Sequence, residues 1–292
     1  MSTSVLTANK TSSNSLASKY PILLFIFLAY ALTWPFFILE VMVSYEMLPF
    51  ELPMPLMILQ GFMPGLAAVI VTGLISGKAG IRALLSKLLI ARVGFRWYTF
   101  AIFSLAAVCV TAIALNNLFG TSIAPFLSTK MPPFSGPIEL LINIVVLLIF
   151  SAIFNSEEIG WRGFALPRLQ SKYNAFTSSL ILSIPWLFFH LPLFFKLGSS
   201  QADSSFIGYG IGIIAQTVIF TWMYNNTRGS VLLATLLHAS SNTWTQIFSI
   251  NSEGTNQFLA WMMTLVLVVI AVIVNLISGA ENLSRKNQRI QE

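Results

Sequence analysis

PILLFIFLAYALTWPFFILEVMV, residues 21–43, carries one charged side chain, Glu40, in 23 positions. A hydrocarbon core about 30 Å thick is crossed by roughly 20 apolar residues wound as a helix. The run is longer than the roughly 7–15 residues of a signal-peptide core, so it reads as a membrane span. Runs of the same kind recur along the chain, roughly at 21–43, 55–76, 97–119, 138–158, 174–195, 206–225, 230–249 and 258–278. Backbone facing lipid must bond to itself, which makes these spans helices. None alternates with period two, which argues against a barrel. The expected fold class is all-α, a polytopic membrane protein of about eight transmembrane helices.

Composition agrees. Of 292 residues 56% are hydrophobic and 9% charged, whereas a water-soluble domain carries about a quarter of its residues as Asp, Glu, Lys and Arg. Too little polar surface exists to cover a soluble body. Nucleic acid is therefore not the expected partner of the +6 net charge. The basic residues instead report topology. With the N-terminus inside, Lys10, Lys19, Lys78, Arg82, Lys87, Arg92, Arg96, Arg162, Arg168, Lys172, Arg228, Arg285, Lys286 and Arg289 face the cytoplasm, and only Lys130 and Lys196 lie outside. Both termini are expected in the cytoplasm, and the membrane is expected to be the plasma membrane.

Residues 1–19, rich in Ser, Thr and Asn, read as a disordered cytoplasmic tail. Residues 20–279 read as one transmembrane domain and 280–292 as a second cytoplasmic tail. Between Lys78 and Arg96, five basic residues alternate with Ile81, Leu84, Leu85, Leu88 and Leu89, the pattern of a stretch lying in the interface against anionic lipid. Gly61 and Gly65, and Gly208 and Gly212, have the spacing that lets helices approach closely. Cys109 is the lone cysteine, so no intrachain disulfide forms.

Against this apolar background a few polar residues stand out. The two histidines, His190 and His238, both fall inside spans, and the one adjacent acid pair, Glu157-Glu158, closes the fourth. An ionisable group in a bilayer costs roughly 2.5–3.5 kcal/mol even on the lenient insertion scale, so such groups usually face a wet cavity and mark function. Glu158 and Arg162 are four apart and share a helix face, which suits an ion pair. Glu157 lies about 100° round and is left free of that pair. Trp186 stands one turn before His190 and can brace its ring. Asn242 stands one turn after His238, placed to orient it or to donate to a substrate carbonyl. A base, two imidazoles and an amide donor are the parts needed to activate water and stabilise an oxyanion. Singly, each histidine, Trp186 or Asn242 reads equally as an interhelical contact; the combination points to a site.

Taken in order, Glu157-Glu158…Arg162, Trp186…His190 and His238…Asn242 resemble the signatures of the CPBP family of intramembrane proteases, the CAAX-protease and bacteriocin-processing or Abi group. Trp161-Arg162-Gly163-Phe164-Ala165-Leu166-Pro167-Arg168-Leu169 is similar to the family's extension of the first motif. The second motif usually opens with Phe, where this chain has Trp186. The likeness covers about residues 150–245. It implies eight helices around an intramembrane catalytic chamber, and an endopeptidase, similar to type II CAAX prenyl endopeptidases, that cuts a membrane-anchored or lipidated substrate near its C-terminus. It further implies that Glu157 and His190 activate a water while His238 and Asn242 stabilise the oxyanion. No cofactor is expected. The alternative is zinc held by His190, His238 and Glu157, although Asn is a poor zinc ligand and no HExxH is present. A non-hydrolytic peptide-binding immunity or scaffold protein and a small transporter are the other functional readings; no inverted repeat supports the transporter.

One feature resists a simple bundle. His190 would lie about 24 Å along a fifth span that starts at Asn174, while Glu157 would end the fourth, near the inner face. Either segment 160–176 dips into the membrane, or Pro185 and Pro192 break the fifth span.

Overall fold

Helices form where the apolar runs stand, and local chemistry starts most of them. In the computed structural model, which describes residues 16–120, 123–124, 126–127, 136–248, 250, 257–285 and 288–292, the helices are α1 (Leu16–Lys19), α2 (Pro21–Ser44), α3 (Met54–Gln60), α4 (Met63–Ser86), α5 (Phe95–Phe119), α6 (Pro137–Phe154), α7 (Leu166–Gln170), α8 (Ala175–Phe189), α9 (Phe206–Asn226), α10 (Val231–Ile247) and α11 (Gln257–Ser278). Proline in the first turn opens α2, α4 and α6, where its missing N–H costs nothing. Side chains of Asn174, Ser205 and Ser230 cap α8, α9 and α10 by accepting from Thr177, Gly208 and Leu233 N–H groups.

The protein is a polytopic all-α membrane protein, with fewer full-length spans than expected. Among the described residues six helices are long and apolar enough to cross a bilayer: Pro21–Ser44, Met63–Leu89, Phe95–Phe119, Pro137–Phe154, Phe206–Asn226 and Gln257–Ser278. The expected spans at 174–195 and 230–249 are the shorter α8, of 15 residues, and α10, of 17. α10 packs against α5 and α6, α11 against α9 and α5, α2 against α4, and α8 against α9. α6 buries none of its residues and is the outermost of the long helices, whereas most of α9 is buried.

Two expected boundaries move for one physical reason. The second span runs from Met63 to Ser86 rather than from 55 to 76, because the chain breaks at Gly61 and Phe62. The fourth ends at Phe154 rather than 158. The breaks meet: the Ser156 N–H donates to the Gly61 carbonyl at 2.8 Å, and the Ser156 hydroxyl accepts from the Gly65 N–H at 2.9 Å. A Cβ at Gly61 would lie 1.9 Å from the Phe154 carbonyl oxygen. Gly61 and Gly65 thus admit a bent backbone, while Gly208 and Gly212 face Trp261 and Thr264 of α11 across a close helix contact. Gly61→Ala is expected to lower stability by about 1–3 kcal/mol, the usual cost of overpacking, seen as a lower melting temperature in detergent.

Glu157 and His190 meet because both chain segments depart from straight spans, although Pro185 lies inside α8 and does not break it. After the break, residues 157–170 form a separate helix through a π-helical stretch at Ile159–Ala165, with Gly160 to Ala165 buried. α8 stops at Phe189 and a 3-10 turn follows at Leu191–Phe195. Side chains of α2 brace that stop: the Tyr30 hydroxyl donates to the Pro185 carbonyl at 2.5 Å, and the Trp34 indole to that of Phe189 at 3.0 Å.

The expected interfacial stretch 78–96 differs in shape. Residues 78–86 continue α4 beyond a kink at Gly77, whose φ of 57° suits glycine. The Lys87 ammonium turns inward and donates to the Gly163 carbonyl at 2.7 Å. Of the tail expected at 1–19, residues 1–15 lie outside the described residues, and Leu16–Lys19 are helical. At the other terminus Leu283 and Ser284 are buried, and the Gln170 amide donates to the Ile290 carbonyl at 2.7 Å.

Candidate active site

Glu157 and Glu158 open the separate helix and point to different partners. The carboxylate of Glu157 accepts two indole N–H groups on the same oxygen, Oε2: Trp161 at 3.1 Å and Trp186 at 2.8 Å. One donor comes from its own helix and the other from α8, so the acid is held across two elements. Its second oxygen, Oε1, lies 4.0 Å from Nε2 of His238. That separation is longer than a direct hydrogen bond and leaves Oε1 free of His238.

Glu158 has no exposed surface, and its Oε1 accepts from the Arg162 guanidinium at 2.9 Å. The same oxygen accepts from His238 Nδ1 at 2.8 Å. Arg162 is itself fully buried, its guanidinium 4.3 Å from the centre of the Trp186 ring and 4.2 Å from that of Phe220. Stacking on aromatic faces is favourable for a desolvated cation. Glu158 therefore links the pair to α10 and orients His238, because a carboxylate holding Nδ1–H leaves Nε2 to face the site.

His190 sits at the end of α8, and its Nδ1 donates to the Trp186 backbone carbonyl at 2.9 Å. A carbonyl can only accept, so the Nε2 of the neutral ring carries the lone pair. Trp186 does pack edge-on to His190, with ring centres 6.1 Å apart. Its indole N–H goes elsewhere, to Glu157. Asn242 lies farther along α10 and donates one amide hydrogen to the Ser151 hydroxyl of α6 at 3.1 Å. A primary amide has two such hydrogens, and the second is free of Ser151. No hydrogen bond joins Asn242 to His238; what they share is a wall of the same cavity.

That cavity has a volume of about 400 Å³, and Trp186, His190, Tyr209, His238 and Asn242 are among the residues that line it. The structure thus gathers Glu157, His190 and His238 at one place, holds Glu158, Arg162 and Trp186 around them, and sets Asn242 on the cavity wall.

Three residues of this assembly gave no signal in the sequence reading. Trp161 donates to Glu157, a pairing that the four-residue spacing of the two does suggest. Ser151 holds Asn242 and Ser156 anchors the break; a serine in an apolar run announces neither. A fourth, Glu40 in the first span, is the buried acid to which Lys196 Nζ at 2.6 Å and Gln60 Nε2 at 2.7 Å are tied.

The zinc alternative would draw on His190, His238 and Glu157. Among the described residues no three His, Cys, Asp or Glu side chains form a group that could hold a metal ion. Oε2 of Glu157 is taken by two indoles, and His238 Nδ1 by Glu158.

Residues 137–244 match the family model described as type II CAAX prenyl endopeptidase Rce1-like. The chain is also 33% identical, over 156 residues, to the protein named CAAX prenyl protease 2 of Methanococcus maripaludis. That likeness covers 50% of this chain and 55% of the relative, so the chain spans about half the length of the curated protein it matches. All four residues expected to be catalytic lie between 137 and 244, the segment whose sequence is similar to that family.

Proposed function

We propose that the chain is an intramembrane endopeptidase that uses a water activated by Glu157. The observation that carries this reading is the Glu157 carboxylate, pinned at one oxygen by two indoles while the other stands 4.0 Å from His238 Nε2. Oε1 takes a proton from that water as its oxygen bonds to the peptide carbonyl carbon, with His190 Nε2 accepting the water's second hydrogen bond. Negative charge gathers on the carbonyl oxygen, where the second Asn242 N–H and the Nε2–H of a His238 imidazolium, its Nδ1–H held by Glu158, donate to it. Glu157 then passes its proton to the amide nitrogen, and the C–N bond breaks. The amine and the acid that leave account for every atom of the water.

The substrate is a membrane-anchored or lipidated peptide, since these groups lie within a bundle of apolar helices. The direct test is incubation of the purified protein with lipidated and unlipidated C-terminal peptides, read by mass spectrometry. New fragments that Glu157→Gln abolishes support the reading. Intact peptides throughout, with protein that elutes as a single folded species, would sink it.

Asn242→Ala is expected to lower turnover by roughly 10²–10³, the usual loss of one oxyanion donor. KM should change little, because the contact matters in the transition state. No metal enters the proposed step. Elemental analysis of the purified protein should find zinc well below one equivalent. Stoichiometric zinc that disappears in a His190→Ala, His238→Ala double variant would replace the mechanism and leave the peptidase reading standing.

We also take the basic end of the bundle as cytoplasmic, with both termini inside. Burial takes Arg162 out of the loop tally.

A further inference from the structure

The cavity and the loop basic residues lie at opposite ends of the bundle. From His190 and His238 the cavity walls run past Tyr209 and Thr245 to Ser200, Gln201 and Gln257. Those last residues stand beyond the end of α8 and at the start of α11. Arg92, Arg168, Lys172, Arg228 and Arg289 stand at the other end, where the chain segments are stitched together. Arg228 donates to the Arg92 carbonyl, Ser230 to that of Ile90 at 2.7 Å, and Arg289 to that of Gln170 at 2.9 Å. Lys196 lies at the cavity's end of the bundle, and its charge is tied to Glu40.

Loop lysines and arginines set orientation because they are retained in the cytoplasm. With the basic end held there, the cavity's far walls face the opposite side. We infer that the cavity receives its peptide from the non-cytoplasmic side of the membrane, and that the substrate is an exported, membrane-tethered peptide rather than the tail of a cytosolic protein. The fate of the peptide rests on the peptidase reading; its side of entry rests on the charge distribution and the cavity.

The wall chemistry narrows the substrate further. Ser200, Gln201, Tyr209, Gln216, Thr245 and Gln257 offer hydroxyls and amides, and among the described residues no Lys, Arg, Asp or Glu lines the cavity. Neutral donors and acceptors suit an extended backbone and uncharged side chains. Along these walls a charged side chain would lose its water and find no counter-charge. The segment of substrate along these walls is therefore uncharged, and translocation across the membrane must precede the cut.

The test uses single cysteines in a Cys109→Ala background, since Cys109 is fully buried. Gln201→Cys, Gln216→Cys and Lys172→Cys are treated with a membrane-impermeant thiol reagent in intact cells and in inverted vesicles. Positions 201 and 216 should react in cells, and position 172 only in inverted vesicles. Modification at 172 in intact cells would overturn the inference, as would modification at 216 from the inverted side or from neither side.

The second arm adds a quenched lipopeptide with an uncharged cleavage segment to sealed vesicles of each orientation, with detergent-solubilised protein as control. Cleavage is expected in detergent and in right-side-out vesicles. Cleavage in detergent and only in inverted vesicles would defeat the inference and spare the peptidase. Cysteine reactivity as expected, with no cleavage even in detergent, would defeat the peptidase reading and leave the side of access standing.

Discussion

Glu157→Gln is expected to leave a folded protein that cuts peptide about 10²–10⁴-fold more slowly, the range supplied by a positioned general base. Glutamine keeps the shape of the side chain, and its amide oxygen can still accept the Trp161 and Trp186 indoles. What it loses is Oε1 as a proton acceptor, the one atom the reaction needs from this residue. An NH₂ group in its place would point at His238 and at the water site, so no base remains there. The measurement is initial cleavage rate beside melting temperature and gel-filtration profile, all in the same detergent. Wild-type turnover in the variant would remove Glu157 from the mechanism. Loss of turnover together with loss of the folded species would say instead that the two indole bonds hold the bundle together.

Glu158→Ala should do its damage through stability. Arg162 has no exposed surface, and Glu158 is the carboxylate bonded to it. Removing one partner of a buried ion pair leaves an uncompensated charge and costs about 3–5 kcal/mol. A protein of this size should then melt roughly 10 °C lower. The variant also frees Nδ1 of His238, so activity should fall in whatever fraction stays folded. Glu158→Ala combined with Arg162→Met removes both charges and should recover most of the melting temperature, since apolar replacement of a buried pair is often neutral. Activity should not recover with it, because His238 would still lack its Nδ1 partner. Unchanged melting of the single variant would refute the pair's structural role. Recovered activity in the double variant would refute the positioning of His238 by Glu158.

The two acids show how far a helical wheel reaches. Spacing alone separated Glu158, four residues from Arg162, from Glu157, which faces another way. It could not show that Glu157 is held, because one of its two indole donors, Trp186, comes from a different helix. The same limit applies to Trp186. Its place one turn before His190 suggested a ring contact, and the ring contact exists, but the indole N–H crosses to the acid. Asn242 was legible as a polar residue on the His238 face, and its partner Ser151 was not.

Boundaries followed composition only where the chain stays straight. Residues 55–76 and 138–158 are predominantly apolar, and hydropathy cannot register a backbone that turns inside such a run. The turns at Gly61 and at Asn155-Ser156 exist because they satisfy one another, through the Ser156 N–H on the Gly61 carbonyl and the Ser156 hydroxyl on the Gly65 N–H. Neither turn is favourable without the other.

From the sequence alone came the all-helical membrane fold, the separation of basic ends from apolar spans, and the identity of the polar residues that cost too much to be idle. These follow from transfer free energy and helical spacing, which are properties of each segment by itself. The tertiary structure decided where the helices break, how Glu157 and His190 meet despite their places in the chain, and which atom of each polar group is left to react. Those depend on hydrogen bonds between residues 29 to 91 positions apart, and a bond of that kind has no trace in local composition.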